Sequence, residues 1–316
     1  MGYRRPSPLI ACILFYAGVY LAVFVHYYPN RTDPPQAIHF QPTPEEQSFY
    51  NAAFDAQQAR YEVIARENAD VCHVQERVAD FVKRYRLSGA HVLDVGSGEG
   101  RLQDAVADYT GLDISASVRP YYHKRFIQAD ARAMPFPDNE FDAVWTIWVL
   151  EHIPNPEQAL REIRRVLKPA GLVLMHPAWL VSDLNADGYP VRPYSDFGIG
   201  GKLIKATVPL QRAAAFRALY MLPTRALRLA DWKMHGGPTA LHYRALTPNY
   251  QNYWMPDSDA VNSIDMFEVY LWFRSRGDEC VDCPPESELM HTAYTPLVFR
   301  VNKRSLPATQ TANSAP

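Results

Sequence analysis

The feature that most constrains the fold is a regular alternation of strand-like and helix-like segments between residues 91 and 177. Five apolar runs predict strands: HVLDV, YTGLDI, RFIQAD, FDAVWTIW and LVLMH. Between them we predict a short helix from Glu99, another near Val118 and a third over 156–167. Such alternation predicts a parallel sheet with helices on both faces, and ligands bind these sheets at the carboxyl ends of the strands.

The flanking segments complete an α/β domain, which we place at residues 45–304. Helical spacing predicts two covering helices, at about 45–66 and 69–86, and a later one at 265–276 that ends at Gly277. Residues 178–263 depart from the alternation and are interpreted as an insertion, and two more strands follow near 279–283 and 297–302. The predicted fold is a doubly wound, mostly parallel seven-stranded sheet with a helical insertion after the fifth strand.

An uncharged apolar run precedes the domain, at residues 9–25, and His26, Tyr27 and Tyr28 extend it. A helix over 9–28 is about 30 Å long, which matches one hydrocarbon core. A cleaved signal peptide is the alternative, but the run exceeds the usual length and no small-residue cleavage pattern follows it. We therefore predict a transmembrane anchor at 1–28, a proline-rich linker at 29–44 and, at the other end, a disordered tail at 305–316.

The composition excludes two classes of protein. A net charge of −2 argues against a dedicated nucleic-acid binder, which is usually strongly basic. Four cysteines are too few for a disulfide scaffold at 316 residues. Cys280 and Cys283 form a lone C-x-x-C, which we interpret as two incidental thiols in or beside a strand rather than a redox or zinc site.

A glycine-rich turn, GSGEG, follows the first predicted strand. Glycine lets the backbone approach a ligand closely, and a helix N-terminus offers N–H groups to anionic atoms. The spacing is G-x-G-x-G, and Arg101 stands where the dinucleotide fingerprint would have its third glycine. The turn therefore predicts a nucleotide-like ligand and disfavours a nicotinamide cofactor.

Four successive stretches resemble the class I S-adenosylmethionine-dependent methyltransferases, particularly the type 11 methyltransferase domains. They are LDVGSGEGR, GLDIS, QADARAMPFPDNEFDAV and VLEHIPNPEQALREIRRVLKPAGLVLM. The resemblance implies that the cofactor is S-adenosyl-L-methionine and that the protein transfers its methyl group to an acceptor. One departure is that only twelve residues separate Gly100 from Asp113, so the first helix is shorter than usual in the family.

The resemblance also implies which residues bind the donor. These are Asp94, Gly96, Ser97, Gly98, Asp113, Ile114, Asp130, Ala131 and Ile147. The glycine turn would line the methionine part and Asp94 would orient its ammonium. Asp113 would bind the ribose hydroxyls, and the later residues would contact the adenine or contribute backbone.

Two histidines at strand ends are candidate catalytic residues, because methylation of a hydroxyl requires that a proton be removed. His152 follows the fourth strand and His176 ends the fifth, although a structural role is an alternative for both. The Asp257-Ser258-Asp259 triplet could bind a metal, but we interpret it as a helix cap and predict no metal site.

The insertion carries seven Lys or Arg between Lys202 and Lys233 against one acid, Asp231, with apolar residues interleaved. Basic amphipathic stretches lie on anionic membranes or bind acidic ligands, and a solvated helix face is the alternative. We expect the insertion to build the site for a small-molecule, lipid-linked or glycan acceptor near the membrane, with no nucleic-acid partner. The oligomeric state stays open.

The orientation of the anchor is predicted in opposite directions by two arguments. Arg4 and Arg5 place the N-terminus in the cytosol under the positive-inside rule, which would put the catalytic domain on the other side of the membrane. Because S-adenosylmethionine is kept mainly in the cytosol, function favours a catalytic domain that faces the cytosol. Two other functions compete with the methyltransferase: a non-catalytic donor-binding membrane scaffold and an NAD-dependent oxidoreductase.

Overall fold

The computed structural model describes residues 7–303 except 35–42, 54–65, 68, 183, 187–188, 191–192, 212, 249, 251–256, 258 and 293. Half of the predicted linker, the predicted tail, Arg4, Arg5 and Ser258 lie outside the described residues. The predictions that depend on them stay predictions.

Eleven strands are present in the described part of the chain. They are β1 (His91–Val95), β2 (Asp108–Asp113), β3 (Arg125–Gln128), β4 (Phe141–Ile147), β5 (Leu167–His176), β6 (Asn185–Ala186), β7 (Tyr189–Pro190), β8 (Tyr243–Ala245), β9 (Asn262–Ile264), β10 (Glu279–Asp282) and β11 (Leu297–Arg300). Seven form one sheet in the order β10-β11-β5-β4-β1-β2-β3, with β1 to β5 parallel and the last two antiparallel. The predicted mostly parallel seven-stranded sheet is confirmed.

The strand order reverses between β1 and β4. Strands β2 and β3 lie on one side of β1, whereas β4 and β5 lie on its other side. Ligands of doubly wound sheets bind in the crevice at this reversal, beyond the carboxyl ends of the strands. Residues 94–98, 113 and 147 all lie at these ends.

The α-helices cover both faces of the sheet and form the insertion. They are α1 (Pro8–Tyr27), α2 (Pro44–Ala53), α3 (Val74–Arg84), α4 (Pro156–Val166), α5 (Ile199–Ala206), α6 (Val208–Gln211), α7 (Ala214–His235), α8 (Met266–Ser275) and α9 (Glu286–Leu289). Side chains of α3 pack with Val92 on one face, and those of α4 pack with Leu93 on the other. This alternation follows from the two-residue period of a strand.

The predicted helix from Glu99 is wrong. Residues 98–107 form turns and bends, with the Gln103 amide donating to the Gly100 carbonyl at 2.9 Å. The next strand already begins at Asp108, which leaves too few residues for a helix that packs along the sheet. The helix near Val118 is a 3₁₀ helix, Ala116–Tyr121, and Pro120 lies inside it.

The N-terminal helix α1 is, within the described residues, the one helix long and apolar enough to cross a membrane. Its last turn and a half lies on the domain: Val23 and Tyr27 pack against Tyr220 and Met221 of α7. The rings of Tyr27 and Tyr220 stack with centroids 4.5 Å apart.

Residues 29–34 also lie on the domain, which differs from the extended spacer that the prolines predict. Arg31 and Tyr243 exchange two backbone hydrogen bonds of 2.9 Å. The Asp33 carboxylate accepts from the Gln158 amide at 2.9 Å. The chain therefore stays in contact with the domain directly after α1.

Two of the seven basic residues in the insertion are buried in ion pairs. Arg225 donates to both oxygens of Asp265, at 2.9 and 2.6 Å, and Arg228 donates to Glu268 at 2.6 Å. Both carboxylates belong to the α8 segment, about 40 residues further along the chain. The predicted basic surface is smaller than the residue count suggests, because these cations hold α7 to α8.

Cys280 lies in β10 and Cys283 directly follows it, as predicted. Their sulfur atoms form a disulfide, with the Cα atoms 5.8 Å apart. That separation is usual for a disulfide. The two thiols therefore face each other, and the interpretation that they form no redox or zinc site stays a prediction.

We expect Arg225→Ala to lower the free energy of unfolding by about 3–5 kcal/mol, because it leaves Asp265 buried without its partner. Lys233→Ala is the matched control on the same helix, since Lys233 pairs with Glu286 at the surface and should cost less than about 1 kcal/mol. Denaturant unfolding of the detergent-solubilised full chain measures both. Equal losses for the two variants would contradict the assigned role of the buried pair.

Candidate active site

The glycine-rich turn after β1 is held against β2 by backbone hydrogen bonds. The amides of Gly96 and Ser97 donate to the Leu112 carbonyl at 2.8 and 3.1 Å. Gly96 has a φ of +71°, and a Cβ there would lie 2.3 Å from a methyl group of Val149. Glycine is therefore required at this position by both the backbone conformation and the space.

Tyr122 packs against the glycine-rich turn and supports it, a role that the sequence did not reveal. Its hydroxyl donates to the Gly98 carbonyl at 2.7 Å and lies 2.7 Å from the Ser97 hydroxyl. Its ring lies against Gly100 and Gly111, where a Cβ would approach to 2.7 and 2.6 Å. Tyr122 follows a proline-containing 3₁₀ helix, so no periodic pattern points to it.

Two of the predicted donor-binding carboxylates lie buried beside the turn. Asp113 ends β2, and its two oxygens accept from the amides of Gly98 and Ser115, both at 2.9 Å. Asp94 accepts from the Tyr109 hydroxyl at 2.8 Å, and burial raises the pKa of Asp94 to about 7. A carboxylate has about four lone-pair sites, so Asp113 retains acceptor capacity for ligand hydroxyls.

A third carboxylate, Glu99, was missed by the sequence analysis. Its Oε1 atom is buried and has no hydrogen-bond partner in the described part of the chain, while Oε2 lies 3.6 Å from Arg66 Nη2. Burial raises the pKa of Glu99. An unpaired buried acceptor is costly, so the turn presents a position that a ligand cation or donor would satisfy.

The loop after β3 places Asp130 and Ala131 beside the same end of the sheet, but Asp130 is already paired. Arg132 donates from Nε and Nη2 to the Asp130 oxygens at 2.9 and 2.6 Å, and the Arg132 amide donates at 2.8 Å. A ligand amine would share a carboxylate that Arg132 holds in place. Ala131 is buried.

Helix α2 lies over the end of β2. Gln47 donates to the Ile114 carbonyl at 3.1 Å, and the Ser115 hydroxyl donates to the Tyr50 carbonyl at 2.9 Å. The Ala116 amide donates to Asn51 at 3.2 Å. The sequence predicts α2 only as a covering helix, whereas the structure makes it a wall of the site.

His152 lies in a cluster of carboxylates. Its Nδ1 is 3.1 Å from Asp259, and its Nε2 is 3.9 Å from both Glu151 and Asp257. Tyr50 of α2 donates to the same Asp259 carboxylate at 3.0 Å. Burial alone would lower the pKa of His152, but Asp259 and the other carboxylates raise it to about 10. His152 is therefore protonated at neutral pH and is unsuited to accept a proton.

The capping interpretation of Asp257 and Asp259 is wrong, because Asp265 caps α8 by accepting from the Phe267 amide at 3.0 Å. Asp259 instead pairs with His152. Ligand atoms of Glu151, His152 and Asp257 lie within 4.8 Å of one another, a spacing that can admit a cation. The sequence-based prediction of no metal site stays a prediction.

His176 has the opposite electrostatic environment. It ends β5 and pairs in register with Ile147 of β4, which places it beside a predicted donor contact. Burial, with a contribution from Arg77, lowers the pKa of His176 to about 4. Its imidazole is neutral at physiological pH and can accept a proton.

The residues at this end of the sheet fit the donor that the sequence resemblance implies. S-adenosylmethionine carries an ammonium, a sulfonium and two ribose hydroxyls. Against these groups the site offers the buried Oε1 atom of Glu99, the buried Asp94 and the remaining lone pairs of Asp113. The strand order, the glycine turn and the acidic residue at the end of β2 together define a class I methyltransferase domain.

Comparison with known proteins agrees with this class. Residues 93–175 match the family model described as a methyltransferase domain. A ubiquinone/menaquinone biosynthesis C-methyltransferase, UbiE, of Hahella chejuensis is 29% identical over 182 residues, which cover 52% of this chain and 73% of the relative.

Two sterol methyltransferases are similar over shorter regions. The sterol 4-C-methyltransferase strm-1 of Caenorhabditis elegans is 30% identical over 132 residues, which cover 37% of either chain. The sterol 24-C-methyltransferase ERG6B of Gibberella zeae is 37% identical over 112 residues, 30% of this chain and 29% of the relative. This chain spans only about a third of the length of these two relatives. The resemblance to class I methyltransferases, and with it the class I methyltransferase fold, is confirmed.

We expect Gly96→Ala to destabilise the fold by about 1–3 kcal/mol from the positive φ alone, with a further loss from the contact with Val149. Gly89→Ala is the control, because a Cβ at Gly89 meets nothing within 4 Å. In a Val149→Ala background, Gly96→Ala should cost less stability than it does in the wild type, because the methyl groups that the new Cβ would meet are gone. Thermal unfolding of all four proteins tests this, and a Gly96→Ala variant as stable as Gly89→Ala would refute it.

Proposed function

We propose that this protein uses S-adenosylmethionine to methylate a carbon atom of a small apolar acceptor at a membrane. The observation that carries the donor half is the glycine turn with Asp113 beside it and the buried Glu99 Oε1 atom, which has no partner among the described residues. The acceptor half rests on the relatives, whose names describe C-methyltransferases of quinone biosynthesis and of sterols.

In this proposal the donor lies across the carboxyl ends of β1, β2 and β4. The turn from Gly96 to Gly98 lines the methionine part, with Asp94 beneath it. Asp113 accepts from the ribose hydroxyls. The adenine lies between Ile114 and the Asp130–Ala131 loop, and Ile147 contributes backbone.

The acceptor is proposed to be lipid-like rather than a glycan. The descriptions of the relatives name ubiquinone/menaquinone biosynthesis and sterols, and α1 offers this chain a route to the membrane in which apolar molecules concentrate. We keep the expectation that the domain faces the cytosol, where the donor is available.

The chemistry divides the two histidines. When bound, the donor supplies an electrophilic methyl group on a sulfonium, and the acceptor carbon forms a new C–C bond as the C–S bond breaks. The acceptor carbon must then lose a proton. Neutral His176 accepts this proton. His152 is held charged by Asp259, and the pair positions the turn that follows β4.

Helix α2 contributes by excluding water. Its hydrogen bonds to Ile114 and Ser115 close one side of the donor site, and Tyr50 links it to the Asp259–His152 pair. A closed site strengthens the electrostatic interactions inside it. The competing function, a donor-binding scaffold without catalysis, would not need a neutral histidine such as His176 at the end of β5.

We expect Asp113→Asn to weaken donor binding by about tenfold or more, because a charge-assisted hydrogen bond is lost. Asp104→Asn is the control, since Asp104 is an exposed aspartate that pairs with His123 at the surface. Calorimetry with S-adenosylmethionine and with NAD measures both variants and the wild type. Binding of NAD alone, or equal affinity in both variants, would overturn the donor assignment.

We expect His176→Gln to lower kcat by about 10²–10⁴-fold with little change in donor affinity. Product formation is followed with radiolabelled donor and membrane-extracted quinones and sterols, and His123→Gln is the exposed control. Because the pKa of His176 is about 4, wild-type kcat should stay level as pH falls from about 8 to about 5. A decline centred near 6.5 would assign the base to another group, and donor binding without any product would favour the scaffold.

A further inference from the structure

Helix α5 has the reverse of the usual surface polarity. Ile199 and Leu203 are 81% and 47% exposed, whereas Lys205 is only 5% exposed. The Lys205 ammonium lies 3.4 Å from the Leu184 carbonyl and 5.4 Å from the ring centroids of Tyr194 and Phe197. A surface helix in water buries its apolar side chains and exposes its cations.

Helix α7 shows the same reversal. Leu219 and Leu227 are about half exposed, while Arg225 and Arg228 are buried in ion pairs with α8. The insertion is therefore basic in its sequence and apolar on part of its surface. Three of the seven charges that suggest a membrane contact in the sequence, on Lys205, Arg225 and Arg228, are turned inward.

The exposed side chains of α5 and α7 adjoin α1. Helix α1 contacts both helices, and its Tyr20 hydroxyl donates to the Leu219 carbonyl at 3.0 Å. Tyr20 and Leu219 are themselves exposed. Leu219 therefore continues the apolar surface of α1, and the other exposed apolar side chains belong to the two helices that contact α1. We call Ile199, Leu203, Leu219 and Leu227 the outer face.

The length of α1 relates this outer face to the bilayer. Twenty residues make a helix of about 30 Å, which is one hydrocarbon core. The last turn and a half, from Val23 to Tyr27, already packs on α7. If α1 spans, its packed end places the start of α7 and its neighbour α5 at the boundary between acyl chains and headgroups.

We propose that the outer face docks on the lipid bilayer that holds α1, so that α5 and α7 lie along the membrane surface and seat the catalytic domain on it. Interfacial helices bury their apolar faces about 5–10 Å into this boundary. The proposal deepens the proposed function, because a domain seated on the bilayer would receive an apolar acceptor directly from it. It rests on the proposed function in this respect only. Its contacts are independent of the donor site.

Site-specific labelling of the full chain tests the proposal. In a Cys12→Ser/Cys72→Ser background, which removes the free thiols that the structure describes, Leu203→Cys and Leu227→Cys carry an environment-sensitive NBD label. Tyr121→Cys is the control, because Tyr121 is also exposed but lies between β2 and β3, at the opposite edge of the sheet from β10. The proteins are reconstituted in vesicles of phosphatidylcholine and phosphatidylglycerol, with and without a lipid-borne quencher.

We expect blue-shifted emission and lipid-dependent quenching at positions 203 and 227, and neither effect at 121. Aqueous emission at all three positions would overturn the proposal. A blue shift that persists in detergent and rises with protein concentration would also overturn it, in favour of a second copy of the chain. Donor calorimetry on the same samples separates the two ideas: lost donor binding with lipid-quenched labels would refute the proposed function and leave the docking intact.

Discussion

The candidate site depends on one constraint, which is the attachment of the glycine-rich turn to the end of β2. Two amides of the turn share the Leu112 carbonyl, and the Asp113 carboxylate then accepts from the Gly98 amide. The turn can come this close because Gly96 has no side chain to meet Val149. With the first helix replaced by turns, Tyr122 provides the support that a helix would otherwise give.

Buried charge organises the rest of the molecule. Arg225 and Arg228 hold the insertion to α8, and Asp259 holds His152 in its charged form while also binding Tyr50 of α2. Buried ions are stable only when paired, so each pair ties together segments that are distant in the chain. The covering helix, the insertion and the sheet thus form one structure around the strand ends.

The strands of the central sheet could be predicted because each is a short apolar run with a recognisable end. The same holds for α4, whose apolar spacing is regular, and for α8, an apolar run that begins after Asp265 and ends just before Gly277. The helix at Glu99 was predicted wrongly, since the space available before β2 is a property of the sheet and not of local propensity. Glu99, Tyr122 and Tyr50 were missed because their importance comes from burial and from partners far along the chain.

Sequence alone determined the class of the domain, the donor it implies, the positions of Asp94, Gly96 and Asp113 at the strand ends, and the apolar character of α1. These properties follow from local patterns, which require no knowledge of distant contacts. Only the tertiary structure decided which histidine is neutral, because the ionisation of His152 and His176 depends on burial and on neighbouring charges. It also decided that Arg225 and Arg228 point inward while Leu219 and Leu227 of the same helix are exposed, since side-chain direction is set by packing against α8 and α1.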